Sequence, residues 1–304
     1  MHIPDHMLNG QICPVTATVS ALGIAAAAIM ALRSKEKPAA SRFGAVAAFI
    51  FAAQMMNFPI QNGTSGHLLG GVLASALLGV PFGILAITLV LLIQCLVFSD
   101  GGASVLGANI LNMALIGAGA GGFLFKRFAG ASAKDSVFCL SSLGVAGWLS
   151  VILAALACSI ELGVSGAIPF ARVAGTMLSV HALIGVGEGL IAVAAYRVLS
   201  SKALSRSPQW NVGVPLLAAV TIGALWSPFA SGFPDGLEWV AEKYQFLHEA
   251  APAFVSPLSD YAVPALQNGI LSIGLAGLIG VLLTFAMGWL LARCFTGMKL
   301  KTAA

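Results

Sequence analysis

Nine runs of apolar residues dominate the chain and indicate that it lies in a lipid bilayer. They lie near residues 15–32, 43–58, 68–79, 82–98, 104–124, 138–160, 177–199, 210–228 and 270–292. A helix that crosses a bilayer needs about 17–25 apolar residues, and fewer where it is broken or re-entrant. Charged residues make up only 9% of the chain and its mean hydropathy is +0.95, whereas soluble domains are about 25% charged. We therefore expect an all-α polytopic membrane protein with about nine transmembrane segments.

The third apolar run is the ambiguous one. It is short, and Gly79-Val80-Pro81 follows it directly. The stretch 68–98 is therefore open to two other interpretations, one long kinked segment or a re-entrant piece followed by a full span.

The basic residues predict the orientation. With nine crossings and an extracytoplasmic N terminus, thirteen of the fifteen Lys and Arg residues fall on the cytoplasmic side, and only Arg172 and Lys243 fall outside. No eight-crossing arrangement sorts the charges as well. The positive-inside rule thus favours nine spans with a cytoplasmic C terminus. The net charge of +4 is explained by this placement and needs no nucleic acid partner.

The first apolar run predicts that Met1 is retained. Asp5 precedes this run instead of the basic region of a signal peptide, and the basic cluster 33–42 follows it. This order of charges anchors a first helix whose N terminus is translocated. The bulky His2 also disfavours removal of Met1. We expect the Met1 amine to face the extracytoplasmic side.

Met1 and His2 form a potential metal chelate. The α-amino nitrogen, the His2 backbone nitrogen and the His2 imidazole close one five-membered and one six-membered ring in one plane, which suits Ni(II) or Cu(II), with Co(II) chemically close. On these two residues alone, an incidental pair at a frayed terminus is the simpler interpretation. A fourth donor has to complete the square.

Two histidines compete for the fourth position. His67 follows two glycines and three small polar residues in the stretch 62–66, which permit a tight turn. His6 is nearer, but it is only four residues from His2, and Pro4 stiffens the loop between them. A lone histidine in a membrane is otherwise a residue that bonds neighbouring helices, although ionisable groups at that depth are functional candidates.

Four further polar residues lie inside the apolar runs. Glu188 is the only carboxylate in a predicted span, and His181, seven residues earlier, lies on the same helical face. They are interpreted either as a proton relay or second metal site, or as a hydrogen-bonded pair between helices, which we favour. Asn109 and Asn112 are candidates for holding a metal ligand in place or for bonding neighbouring helices.

Four ordered motifs carry a family resemblance. They are residues 1–5 (MHIPD), 63–71 (GTSGHLLGG), 106–114 (LGANILNMA) and 181–190 (HALIGVGEGL). Together they resemble the substrate-binding membrane subunit of energy-coupling-factor cobalt/nickel transporters. The resemblance implies a metal bound by the Met1 amine, the His2 backbone nitrogen and imidazole, and the His67 imidazole, in agreement with the chelate chemistry.

A second motif resembles another subunit of the same transporters. Pro234-Asp235-Gly236-Leu237-Glu238 is similar to the signature of their small two-helix accessory subunit, fused here to the first. We therefore divide the chain into a metal-binding region, 1–205, and an accessory region, 206–304. In that family the extracytoplasmic loop assists metal loading, which implicates Asp235 and Glu238. Asp235 is also a helix cap for an amphipathic stretch, 239–249, which is equally well interpreted as a solvated loop helix without such a role; we leave its His248 out of the metal site.

The implied function is uptake of Co(II) or Ni(II) across a bacterial or archaeal cytoplasmic membrane. The chain holds no G-x-x-x-x-G-K-[ST] phosphate loop and no H-E-x-x-H motif, so we expect no enzyme and no cofactor beyond the transported ion. The resemblance implies two cytoplasmic ATPase subunits and a transmembrane coupling subunit as partners in the lipid bilayer. A stand-alone proton-coupled carrier using His181 and Glu188 is the alternative. From ordinary amine and imidazole pKa values, we expect metal affinity to decline below about pH 6.5.

Overall fold

The structure is a computed structural model that describes residues 1–61, 63–133, 136–201, 208–246, 254 and 256–297. The described residues form helices joined by loops, one of which contains a hairpin whose two strands have two residues each. The helices are α1 (Ile12–Arg33), α2 (Ala40–Gln54), α3 (Gly71–Leu78), α4 (Val80–Phe98), α5 (Leu106–Ala129), α6 (Val137–Val164), α7 (Phe170–Leu199), α8 (Pro208–Val220), α9 (Gly236–Tyr244) and α10 (Gly269–Gly297). A π-helical segment, Thr221–Trp226, and a 3₁₀ turn, Ser227–Phe229, extend α8, and another 3₁₀ turn is Ser259–Tyr261. Strands β1 (Phe58–Pro59) and β2 (Ser65–Gly66) pair antiparallel.

Every predicted apolar run contains a helix, but the helix in the third run is much shorter than the others. Seven helices in the described part of the chain are long and apolar enough to cross a membrane, and α2 is a shorter apolar helix. Helix α3 has only eight residues, about 12 Å at 1.5 Å per residue, against a hydrocarbon core of about 30 Å. Gly79, at φ 89°, separates it from α4. The stretch 68–98 is therefore not one continuous helix, and the count of nine crossings and the orientation stay predictions.

The central helix α5 is wound in two ways. Its middle part, Ile110–Ala120, is π-helical over eleven residues, and its two ends are α-helical. Its glycines allow close packing: an added Cβ at Gly121 would lie 2.8 Å from Ser150 Cβ of α6. The small-residue stretch of this helix is thus a packing face.

The two ends of the chain belong to one helix bundle. Helix α10 packs along α2, where an added Cβ at Gly44 would lie 2.6 Å from the carbonyl oxygen of Phe285. Helices α8 and α10 meet at glycines too, with Gly277 against the carbonyl of Gly223. Side chains from α2 and α10 share one apolar core. The proposed boundary at 205/206 and His248 lie outside the described residues.

The first residues of the chain are part of this bundle and not a solvated tail. Ile3 is fully buried, and Met1 is 3% exposed. The carbonyl of Ile3 accepts a hydrogen bond from the backbone of Gly102, and the hairpin donates one from Ser65 to Pro234. The N terminus, the hairpin and the loop before α9 consequently meet at one place.

Candidate metal centre

The Met1 nitrogen lies between an imidazole and a carboxylate. It is 2.6 Å from Nε2 of His67 and 2.6 Å from Oδ2 of Asp235. The three residues come from distant parts of the chain, 66 and 234 residues from Met1. The Met1 ammonium donates to both partners, since Nδ1 of His67 is paired with the carbonyl of Leu68 at 3.0 Å and Nε2 is thereby left as the acceptor.

The imidazole rings of His2 and His67 are stacked, with their planes nearly parallel. The two ring centroids are 5.2 Å apart and the planes differ by 18°. Both ring nitrogens of His2 have polar partners: Nδ1 is 3.1 Å from Oδ1 of Asp100 and Nε2 is 3.2 Å from Oε1 of Gln94. Tyr261 donates to the other oxygen of Asp100 at 2.5 Å. A metal ion bound through Nδ1 would replace Asp100 as its partner.

Asn109 fixes the position of the N-terminal chain. Its Oδ1 accepts the Ile3 backbone N–H at 2.8 Å, and its Nδ2 donates to the Ile3 carbonyl at 3.0 Å. Because Asn109 directly precedes the π-helical part of α5, it joins the N terminus to this helix. It orients the peptide that follows His2.

Glu188 of α7 holds the segment that carries His67. Its Oε2 accepts the Leu69 N–H at 2.6 Å, and its Oε1 accepts the Gly70 N–H at 3.0 Å. Gln54 of α2 donates to the Leu69 carbonyl at 2.7 Å. Gly70, at φ 73°, then starts α3, so the backbone after His67 is fixed from two sides.

The loop before α9 supplies Asp235. This residue caps α9 in a capping box: its Oδ1 accepts the N–H groups of Leu237 and Glu238, and the Glu238 carboxylate accepts the Asp235 N–H. Its other oxygen, Oδ2, is then left for Met1. The sequence predicted the cap correctly. It did not predict that the same carboxylate also pairs with the N terminus.

A polar cavity of about 510 Å³ opens beside the centre. His2, His67 and Gln54 line it together with four carboxylates. Those carboxylates belong to Asp100, Asp235, Glu238 and Asp260. Their negative charge favours a cation in this cavity over an anion.

Burial changes the protonation of the ligand candidates. It lowers the pKa of His67 to about 3, and the neighbouring Met1 ammonium and His2 act in the same direction. It also lowers the pKa of His2, although Asp100 opposes this. Burial alone would raise the pKa of Asp235, but the Met1 ammonium, with His67, holds it well below its usual range. Protons thus compete less for the two imidazoles than their ordinary pKa values predict.

The other candidate residues are placed differently from the sequence interpretation. His181 and Glu188 do not form a pair: His181 bonds the Met177 carbonyl through Nδ1, and Glu188 bonds the segment after His67. Asn112 donates to Glu161 at 2.7 Å and bonds α5 to α6. Glu161 is buried within α6, so Glu188 is not the only carboxylate inside a helix of the bundle, as the sequence had suggested.

Three residues around His2 were missed by the sequence interpretation, and His6 plays no part. His6 is exposed and adopts a left-handed φ of 65°. The missed residues are Gln94, Asp100 and Tyr261. Gln94 had a signal, because a glutamine inside an apolar run needs a polar partner. In the described part of the chain no three His, Cys, Asp or Glu side chains cluster as a metal site would require; backbone nitrogens are needed to complete any donor set here.

The bundle of apolar helices defines the class, a multi-pass membrane protein, and the buried N terminus gives it a polar centre. Comparison with known families then identifies the particular one. Residues 2–205 match the family CbiM, cobalt uptake substrate-specific transmembrane region, and residues 209–297 match the PDGLE domain. The chain belongs to the CbiM family and carries a PDGLE domain in the same polypeptide.

Individual relatives agree with this assignment. A protein of Archaeoglobus fulgidus named as a fused nickel transport protein, NikMN, is 35% identical over 96% of this chain and 98% of its own length. A cobalt transport protein CbiM of Acetoanaerobium sticklandii is 27% identical over 51% of this chain and 65% of its own. A crystal structure of a truncated transition metal transporter superposes with a TM-score of 0.57 at 30% identity, covering 66% of this chain and 99% of that one.

Proposed function

We propose that this chain captures Ni(II) or Co(II) as the substrate-binding subunit of an energy-coupling-factor transporter. The ion is held by the Met1 amine, the His2 backbone nitrogen and imidazole, and the His67 imidazole. The observation that carries the proposal is the 2.6 Å approach of the buried Met1 nitrogen to Nε2 of His67, across 66 residues of chain. The proposal requires that Met1 is not removed and that its α-amino group is free.

The donor chemistry supports a late first-row metal. Four nitrogens in a plane suit Ni(II) and Cu(II), whereas Mg(II), Ca(II) and Mn(II) prefer oxygen ligands. Cu(II) binds such a site at least as well as Ni(II) in vitro. Selectivity in the cell therefore depends partly on metal supply and on access through the acidic cavity.

Loading in this scheme replaces protons with metal. The Met1 ammonium donates to His67 and Asp235 at 2.6 Å each, so it loses a proton before it binds a metal, and the His2 backbone N–H loses its proton when that nitrogen becomes a ligand. Asp235 then loses its cationic partner and faces the arriving ion instead. This contact supports a loading role for the loop that contains Asp235 and Glu238.

The energy for uptake comes from other chains in this proposal. We propose two cytoplasmic ATPase subunits and a transmembrane coupling subunit as partners. A stand-alone proton-coupled carrier is the alternative, and it requires a carboxylate that exchanges protons during transport. Glu188 is poorly suited to that task, because backbone N–H groups bond both of its oxygens.

The test is a matched pair of extended proteins. One carries the dipeptide Ala-Pro ahead of Met1, because a proline nitrogen has no hydrogen to lose and so prevents a new planar chelate at the extended terminus; the other carries the same dipeptide at the C terminus. Met1 is 3% exposed, so the extra residues have no space, and they convert the amine into an amide nitrogen. We expect Ni(II) and Co(II) affinity to fall by at least about 100-fold in the first protein. Loss of a residue that only orients a metal ligand already costs up to about 100-fold, and here a ligand itself is lost.

Intact mass measured on each purified protein establishes the N terminus, and titration with Ni(II) or Co(II) gives the affinity. The C-terminal extension should bind as the unmodified protein does. Undiminished affinity after the N-terminal extension would refute the amine as a ligand. Loss of binding in both proteins would instead refute the N-terminal location of the site.

A further inference from the structure

A groove runs along the outer surface of the bundle between α6 and α7. It encloses about 600 Å³, within the range of about 300–1,000 Å³ that ligand pockets have. Both helices are long and apolar enough to cross a membrane. Val145 of α6 and Leu190 of α7 line the groove and are exposed. The groove therefore opens toward the hydrocarbon of the bilayer, away from the metal centre.

Glycines shape this groove. Gly144 of α6 and Gly185 and Gly189 of α7 line it, and without side chains the two helices approach closely. An added Cβ at Gly189 would lie 2.8 Å from the Gly144 carbonyl oxygen. An added Cβ at Gly144 would make only an ordinary contact, 3.5 Å from Val193. A larger residue at position 144 would therefore fill the groove without forcing the helices apart.

The groove is about as long as one leaflet of a bilayer is thick. On α7 its lining extends from Gly185 to Arg197, about 18 Å at about 1.5 Å per residue. Half of the hydrocarbon core is about 15 Å. At the end away from Arg197, the indole N–H of Trp148 donates to the Ala182 carbonyl at 3.0 Å and joins α6 to α7. This length fits an acyl chain of one leaflet, whereas a partner helix that crosses the membrane runs along the whole core of about 30 Å.

The other end of the groove is positively charged. Arg197 lines it there, in the last turn of α7. Among the residues of the groove that the structure describes there is no carboxylate, so no neighbour in the groove neutralises this charge. The rings of Phe125 and Tyr196 contact each other, with centroids 6.3 Å apart, which brings the exposed Lys126 and Arg127 of α5 to the same end. The charge favours an anionic group at this end.

We propose that the groove binds one phospholipid with an anionic headgroup. Its phosphate pairs with Arg197, and one acyl chain lies between α6 and α7 as far as Trp148. Basic sites between transmembrane helices recognise anionic headgroups by the same charge pairing. In the predicted orientation Arg197 faces the cytoplasmic side, so the lipid belongs to the cytoplasmic leaflet. This site is separate from the metal centre and does not depend on the function proposed above.

The experiment measures lipid binding to the purified protein in detergent by native mass spectrometry. The probes are palmitoyl-oleoyl phosphatidylglycerol and the phosphatidylcholine with the same chains. Arg197→Gln removes the charge, and Gly144→Leu fills the groove. Arg33→Gln is the control for charge, since Arg33 also lies in the last turn of an apolar helix, α1. Gly175→Leu is the control for the added side chain, because Gly175 is on α7 and nothing lies within 4 Å of a Cβ there.

We expect the unmodified protein and both controls to bind one phosphatidylglycerol per chain, more tightly than phosphatidylcholine. Arg197→Gln should reduce this preference about fivefold, which is the usual contribution of one Lys or Arg to binding an anionic membrane surface. Gly144→Leu should weaken the binding of both lipids, because leucine takes the space of the acyl chain.

Equal affinities of the unmodified protein for the two lipids would overturn the proposal, as would undiminished phosphatidylglycerol binding by Gly144→Leu. A second measurement decides the matter even if Gly144→Leu fails to fold. A photoreactive phenylalanine analogue replaces the exposed Leu190, and irradiation in native membranes should produce an adduct with the mass of an anionic phospholipid. An adduct with a polypeptide would show that a protein fills the groove instead.

Discussion

The side chain of Asn109 hydrogen-bonds both backbone groups of Ile3. Oδ1 of Asn109 accepts the Ile3 N–H at 2.8 Å, and Nδ2 of Asn109 donates to the Ile3 carbonyl at 3.0 Å. No other amide orientation makes both bonds, since Oδ1 only accepts and Nδ2 only donates. The peptide after His2 is therefore held in one register against α5. The position of the proposed ligands Met1 and His2 thus depends on a residue that bonds the chain at the next position, Ile3.

Asn109→Ala is expected to weaken metal binding without removing a ligand. Losing the partners that orient a ligand typically costs about 10–100-fold in metal affinity. Ser20→Ala is the matched control, because Ser20 also bonds α5, through the Gly107 carbonyl at 2.7 Å, away from the metal centre. Titration with Ni(II) measures the difference. Equal affinities in the two variants would show that Ile3 needs no such support.

Glu188→Gln tests whether this carboxylate positions His67 or carries protons. A glutamine turns one acceptor into a donor that faces the N–H of Leu69 or Gly70, and a buried unpaired donor costs about 1–3 kcal/mol. We expect a lower free energy of unfolding and about tenfold weaker metal binding. Glu161→Gln is the control, since Glu161 is also buried but bonds Asn112.

Thermal unfolding and metal titration on the same samples provide the measurement. The proton-coupled carrier predicts a different result, namely lost transport with metal affinity intact. That result would contradict the positioning role of Glu188.

Gly236→Ala tests the contact between the PDGLE loop and the metal centre. An added Cβ would lie 2.7 Å from Cδ1 of Ile184 and 3.0 Å from Cε1 of His181. Either the side chains of Ile184 and His181 or the loop itself has to shift, which costs up to about 1–3 kcal/mol and disturbs the contact of Asp235 with Met1. Gly232→Ala is a closely matched control in the same loop, because nothing lies within 4 Å of a Cβ there. We expect slower Ni(II) loading, measured by stopped-flow mixing, in Gly236→Ala alone; equal loading rates would separate the loop from loading.

The sequence predicted the helices well because long apolar runs in a membrane have few alternatives to helix. It failed at boundaries that depend on the backbone. Gly70 and Gly79 adopt positive φ and shorten α3, although the apolar run continues past them. Helix α6 extends beyond its apolar run to Val164, and Glu161 remains inside because Asn112 of another helix bonds it.

The candidate metal centre was predictable only where covalent geometry or family resemblance specified it. The Met1-His2 chelate stays a prediction from ring sizes, and the structure places His67, which the resemblance implied, beside the Met1 nitrogen. The pair between Met1 and Asp235 spans 234 residues, and the clamp of Glu188 on the segment after His67 spans 119. Such long-range pairs follow from how the helices pack, which local patterns do not record.

The lowered pKa of His67 predicts a pH dependence of stability for the metal-free protein. Unfolding returns the imidazole to an ordinary pKa of about 6.5, while burial keeps the pKa near 3 in the folded chain. Between these values the unfolded state binds more protons, so the free energy of unfolding falls as pH falls, by up to about 1.4 kcal/mol per pH unit for this group. Asp235 does not contribute between pH 5 and 7, because burial would raise its pKa but the Met1 ammonium, with His67, holds the pKa below the ordinary 3.8.

Glu238 acts in the opposite sense, since burial and the charge of Asp235 raise its pKa. The difference between the unmodified protein and His67→Asn cancels its contribution and isolates His67. We expect the free energy of unfolding to fall less steeply from pH 7 to pH 5 in His67→Asn than in the unmodified protein, whereas His6→Asn should behave as the unmodified protein does. Unfolding measured with chelator present, in detergent, at several pH values gives both slopes. Parallel slopes for His67→Asn and the unmodified protein would mean that His67 titrates normally in the folded chain and that its burial does not exclude protons from the metal centre.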